Sequence, residues 1–204
     1  MKSIIKIVGE DYIISAIPKT YVKARPLKNR DSLPICRINC ELGVWQHLSL
    51  GLQEASTIYL HQLLQDGPLV ISTYSPDWNE YGTRHLKALN RAYPNIRALG
   101  GNLLVLTTEY FKNIVHTIQD HSLEFNLLQD FENRISEAFG VYSKYEPVWD
   151  RIAGITEDVP FPATFVINTD RRIVYDYVDK DFEYTISEME LERAVKIAYL
   201  LSIN

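Results

Sequence analysis

Thiols are scarce in this 204-residue chain, which has two cysteines, Cys36 and Cys40, against 13 tyrosines. Two thiols cannot build a disulfide framework, so a cross-linked secreted scaffold is excluded and a cytoplasmic address is expected. Positive charge is short as well. Lys and Arg number 21 against 26 Asp and Glu, for a formal net charge of −5. That balance speaks against a general nucleic-acid binder, so no nucleic-acid partner is expected. No apolar run approaches the roughly 20 residues needed to span a bilayer. The first apolar stretch is soon broken by Gly9, Glu10 and Asp11, which does not fit a signal peptide. No membrane partner is expected. His47, His61, His85, His116 and His121 show neither H-x-x-x-H nor H-E-x-x-H spacing. With no Gly-rich phosphate loop and no nucleophile elbow, neither a metal nor a cofactor is expected.

What is present divides into an N-terminal extension, residues 1–40, and a regular domain, residues 41–204. The extension holds two short apolar segments, 3–8 and 12–17, either side of Gly9-Glu10-Asp11, a pattern that predicts a small hairpin. Residues 19–30 follow with Lys19, Lys23, Arg25, Lys28 and Arg30 and no acid before Asp31. This basic strip reads either as a solvated arm or as a contact for an acidic partner.

In the domain, residues 69–74 (LVISTY) and 102–107 (NLLVLT) are β-branched or leucine-rich runs that predict buried strands. Leu86, Leu89 and Tyr93 predict one helix face. Phe111, Ile114, Val115 and Ile118 predict another. A short strand at 125–128 and a short helix through Ile135, Ala138 and Phe139 follow, with Gly140 placed to end the helix. Residues 163–168 and 172–178 predict an antiparallel hairpin. Thr185 with Glu188 reads as a capping box opening a last helix through Leu191, Ala194, Val195 and Ala198. Strand–helix alternation followed by a hairpin gives an α/β fold with a central mixed sheet flanked by helices.

Several stretches in this order resemble one family. They are Gly67-Pro68 before residues 69–74, Trp78 after them, Ala98-Leu99-Gly100, residues 125–130, Ala138-Phe139-Gly140, and residues 159–167 (VPFPATFVI). From about Trp45 onward the chain is similar to the peroxiredoxin-like branch of the thioredoxin superfamily, the alkyl hydroperoxide reductase/thiol-specific antioxidant proteins. The resemblance implies a thioredoxin-like fold. It also implies a site at the end of the first core strand, where the family carries Trp-Cys-Pro-x-Cys. A helix N-terminus there lowers a thiol's pKa. The thiolate attacks a peroxide and a second thiol resolves the sulfenic acid.

This chain reads Trp78-Asn79-Glu80-Tyr81-Gly82 at that place. On the resemblance, Asn79 and Gly82 stand where the peroxidatic and resolving cysteines would be, and neither can do thiol chemistry. A non-peroxidase binding or regulatory protein is therefore expected, with an unidentified protein or small molecule as partner. Two alternatives stay open. One is a thiol oxidoreductase using Cys36 and Cys40, whose C-x-x-x-C spacing differs from the redox C-x-x-C. The other is a non-redox enzyme on a remodelled cleft. The cleft candidates are Trp78, Glu80, Tyr81, His85 and Pro162, with Asp77 and Asn79 on the same rim. His85 reads either as a solvent-facing neighbour of Arg84 or as a cleft residue. Phe161-Pro162 resembles the family's cis-proline position, so a cis bond is expected. The Tyr-rich connection 141–159 predicts a cleft cover or a contact surface. Ile13, Ile14, Tyr142, Tyr145 and Trp149 give apolar groups for a homodimer.

Overall fold

The computed structural model describes residues 23–202. A six-stranded mixed sheet forms its centre, in the order β2-β6-β5-β4-β7-β8. Its strands are β2 (Gly43–Val44), β4 (Leu69–Tyr74), β5 (Asn102–Thr107), β6 (Asn126–Gln129), β7 (Ala163–Ile167) and β8 (Ile173–Val178). β4, β5 and β6 run parallel. β7 is antiparallel to β4, β8 to β7, and β2 to β6. The mixed α/β fold expected from the sequence is therefore present. Every residue of β4, β5 and β7 is buried. Both faces of these strands are covered, which is why their sequences are continuous apolar runs rather than alternating ones. Each fully buried Leu, Ile or Val contributes about 1.5–3 kcal/mol.

Two apolar clusters lie against the sheet. One joins α1 (Glu80–Ala98) and α4 (Glu188–Ser202) to Val70, Leu103, Val105 and Leu127. The other joins Leu69, Ile71, Leu104 and Phe165 to a small ribbon of β1 (Arg37–Asn39) and β3 (Thr57–Tyr59). Leu86, Leu89 and Tyr93 are all buried on α1. The predicted face of α2 (Phe111–His121) is only partly used. Ile114 is fully buried, whereas Phe111 and Val115 each remain 40% exposed.

α3 (Arg134–Ala138) is capped from outside its own turn. The Asp130 carboxylate accepts from the Ile135 and Ser136 N–H groups and from the Ser136 hydroxyl. Gly140, at φ +68°, ends this segment, and its N–H donates to the Glu137 carbonyl. A Cβ there would sit 1.8 Å from the Arg25 carbonyl oxygen, so residue 140 must be glycine for the chain at 25–26 to pass.

Three expectations need correction or placing. The last helix starts at Glu188 rather than at Thr185. The Ser187 hydroxyl accepts from the Glu190 N–H at 3.4 Å, so the cap is Ser187, with Glu190 three residues on. The Phe161–Pro162 bond is trans, since no peptide bond among the described residues is cis. This segment is fixed by ordinary bonds. The Phe161 N–H donates to Val141 and its carbonyl accepts from Thr73 Oγ1, while the Pro162 carbonyl accepts from the Asp179 N–H. The predicted hairpin at 3–17 lies outside the described residues, as do 19–22 of the basic strip. The rest of the strip runs along the domain. Ala24 is buried, Lys28 pairs with Asp176 at 2.7 Å, and the Arg30 N–H donates to the Ile173 carbonyl.

Candidate functional site

β4 ends at Tyr74, and the chain turns through Ser75 and a short 3₁₀ segment, Pro76–Trp78, into α1. Ser75 caps this turn by accepting from the Asp77 N–H at 3.3 Å. Asn79 joins the two helical segments at φ +55°, ψ −132°. Positive φ is costly for a residue with a Cβ. Its side chain is committed too, since Nδ2 donates to the Gly154 carbonyl at 3.2 Å. The 141–159 connection is thereby tied to the start of α1. Gly82 faces inward, and a Cβ there would lie 2.8 Å from the Ser75 carbonyl oxygen and 3.1 Å from the Tyr74 ring. The backbone of the turn occupies the space a side chain at 82 would need.

The five cleft candidates divide sharply. Glu80 is exposed, whereas Trp78, Tyr81, His85 and Pro162 are buried. His85 is neither solvent-facing nor on a rim; it is 0% exposed, at the foot of α1. Trp78, Tyr81 and His85 form one aromatic cluster. The His85 ring stacks on Tyr81 at 6.2 Å and stands edge-on to Trp78 at 6.1 Å. Phe182 closes the cluster, 5.8 Å from Trp78 and 5.2 Å from Tyr81. The Tyr81 hydroxyl is engaged with Asp179 Oδ2 at 3.0 Å and the Tyr184 carbonyl at 2.7 Å. Burial and the neighbouring Asp179 carboxylate push its pKa far up, so it stays a phenol. Burial lowers the His85 pKa to about 4, with Asp179 pulling weakly the other way. The imidazole is neutral at pH 7.

The thiol pair lies elsewhere. Cys36 and Cys40 bracket β1, and both are free. Four residues of extended chain separate their Cα atoms by about 13 Å, roughly twice the reach of a disulfide. Burial, with Asp130 adding to it, pushes the Cys36 thiol up to about 11, and burial raises Cys40 as well. Neither is the lowered-pKa thiol that peroxide chemistry uses.

Sequence reasoning missed a second polar cluster at the carboxyl ends of β4 and β5. Glu109 is 7% exposed, and its Oε2 accepts from Thr117 Oγ1 at 2.8 Å. Burial raises its pKa above the usual carboxylate range, and Asp77 adds to this. Ser75 Oγ bonds Thr108 Oγ1 at 2.8 Å and Asp77 Oδ2 at 3.2 Å. No spacing marks Glu109, which reads in sequence as the second loop residue after a strand. Two surface cavities, of about 340 and 460 Å³, are lined by Trp45, Gln46, His47, Leu48 and Gln53, and by Arg37, Asn39, Glu41, Ser56, Thr57 and Arg134. Neither includes a residue of the β4–α1 turn. Among the described residues, no group of three or more His, Cys, Asp or Glu is placed to hold a metal. No helix among them is long and apolar enough to cross a membrane.

The sequence profile of the AhpC/TSA family matches residues 46–176, well over half of the chain. The chain belongs to the AhpC/TSA family. Solved structures agree on the fold. A peroxidoxin, BcpB, from Mycobacterium tuberculosis is 18% identical, with a TM-score of 0.61 over 87% of this chain and 99% of that one. A mitochondrial 2-Cys peroxiredoxin from Plasmodium falciparum is 11% identical, with a TM-score of 0.65 over 87% and 97%. AhpC from M. tuberculosis is 16% identical, with a TM-score of 0.62 over 88% and 96%. No curated protein matches the chain. At these identities the likeness establishes a peroxiredoxin-like thioredoxin fold, and function does not follow from fold.

Proposed function

We propose that this AhpC/TSA-family chain is not a thiol peroxidase and that it acts as a binding or regulatory protein. The observation that carries the reading is the β4–α1 turn. It holds Asn79 and Gly82 where the family resemblance puts the peroxidatic and resolving cysteines. The Asn79 amide is spent on the Gly154 carbonyl, and position 82 has no room for a side chain. Glu80, exposed in the first turn of α1, adds negative charge where a thiolate would need the opposite. The rest of the turn offers no thiol either, since Trp78, Tyr81 and His85 pack as a buried aromatic cluster with Phe182 against it. The test is hydrogen peroxide consumption with dithiothreitol or thioredoxin as reductant, expected to match a protein-free blank. Sustained turnover overturns the reading. If that turnover were lost on Cys36→Ser or Cys40→Ser, the activity would belong to the thiol-oxidoreductase alternative.

A second reading, a non-redox enzyme, is favoured by Glu109, a buried carboxyl with a raised pKa beside Asp77 and Tyr74. Such a group suits acid–base work. The proposed assembly is a homodimer that uses the N-terminal extension or the 141–159 connection, in which Tyr145 and Trp149 are 40% and 49% exposed.

A further inference from the structure

The hydrogen-bond inventory around Ser72 fixes the state of His85. The Ser72 hydroxyl lies 2.9 Å from the Ala163 carbonyl, 2.8 Å from His85 Nε2 and 2.9 Å from Thr164 Oγ1. A carbonyl only accepts, so the single Ser72 proton goes to Ala163. The other two contacts must then donate to Ser72, which has two lone pairs. The neutral His85 ring therefore carries its proton on Nε2, and Nδ1 is a bare acceptor. That Nδ1 has no partner among the described residues, although His85 is fully buried.

Trp78, 2% exposed, presents the complementary deficit. Its Nε1–H can only donate, and it too has no partner among the described residues. The rings are neighbours, with centroids 6.1 Å apart and planes at 76°. Around them stand Tyr81, whose hydroxyl is engaged with Asp179 and Tyr184, and Phe182, which has no polar side-chain atom to offer. Buried polar groups left unpaired carry their full desolvation penalty, so native structures rarely keep two side by side. A lone donor beside a lone acceptor calls for a group that accepts one hydrogen bond and gives another.

We propose that Trp78 Nε1–H and His85 Nδ1 hold one O–H group between them, supplied by a water molecule or by the hydroxyl of a small alcohol. The oxygen accepts from the indole and its proton is given to the imidazole. Trp78 directly precedes Asn79, whose side chain donates to the Gly154 carbonyl. The Trp78–His85 site is a binding site independent of any thiol, and it stands whether or not the chain reduces peroxides.

The test is NMR on the full-length ¹⁵N-labelled protein, with the Trp78 indole resonance assigned by its loss in Trp78→Phe or, should that variant not fold, through its contacts to Phe182. The expected results are a cross-peak between the water line and the Trp78 indole proton, and a His85 ring protonated on Nε2 with Nδ1 of acceptor type. Titration with methanol or ethanol distinguishes the two sources. If an alcohol hydroxyl occupies the site, the water cross-peak is lost and the indole resonance shifts saturably. If water alone fits, the cross-peak persists unshifted. A His85 proton on Nδ1 overturns the proposal. So does an indole proton that shows no water cross-peak and no response to either alcohol.

Discussion

Replacing His85 with Gln separates one buried titration from all others in the protein. The imidazole is fully buried, and its folded-state pKa is about 4 against an ordinary 6.5. Above pH 6.5 the ring is neutral in both folded and unfolded chains, and His85 puts no penalty on folding. As pH falls below 6.5 the unfolded chain takes up a proton that the folded chain refuses, so stability drops until pH passes about 4. The gap between the two values corresponds to about 3 kcal/mol. The Asp179 carboxylate opposes the shift, and Ser72, Trp78 and Tyr81 are the ring's other neighbours. Glu109 and Asp130 have raised pKa values and act in the opposite sense, favouring the fold as pH falls. Both are common to the two proteins and cancel in the difference. Gln keeps an amide donor for Ser72 and does not titrate. Urea unfolding followed by tryptophan fluorescence from pH 7.5 to 4 should show wild type losing about 3 kcal/mol more than His85→Gln. Parallel stability profiles for the two proteins would refute the burial-driven account of His85.

Gly82→Ala places a Cβ 2.8 Å from the Ser75 carbonyl oxygen and should cost about 1–3 kcal/mol in urea unfolding. An unchanged midpoint would show that the turn yields. Cys40, partly exposed, should alkylate with iodoacetamide well before Cys36, which is buried with its pKa near 11. Peptide mapping over time reads this order, and equal rates would contradict the placement of β1. Light scattering at micromolar concentration should give twice the chain mass for the proposed homodimer, whereas a monomer mass would remove the dimer from the account.

The strands were legible where both of their faces are covered. Residues 69–74 and 102–107 are continuous apolar runs because β4 and β5 are central, and their spans agree with the pattern. The β1–β3 ribbon was not legible. It pairs three-residue strands with a two-stranded register, and Arg37 and Asn39 alternate with Ile38 without a turn signal to mark the return. Helix starts were read two residues off where two capping patterns compete, since Thr185/Glu188 and Ser187/Glu190 differ only in which hydroxyl the backbone reaches. The aromatic half of the candidate site was visible as Trp78, Tyr81 and His85, which lie within seven residues of one another at the start of α1. Its polar half was not, because Ser72 meets Thr164 across 92 residues and Tyr81 meets Asp179 across 98. Such partners come together only when β7 inserts beside β4.

The central claim is that no thiol of this chain turns over peroxide. Its most direct measurement is the initial rate of hydrogen peroxide loss with excess reductant, run on the wild type beside a Cys36→Ser/Cys40→Ser double variant that contains no thiol at all. The account predicts that both rates equal the protein-free blank across pH 6–8, because Cys36 and Cys40 are held as neutral thiols and the β4–α1 turn offers none. A wild-type rate that rises with protein concentration and disappears in the double variant would contradict it.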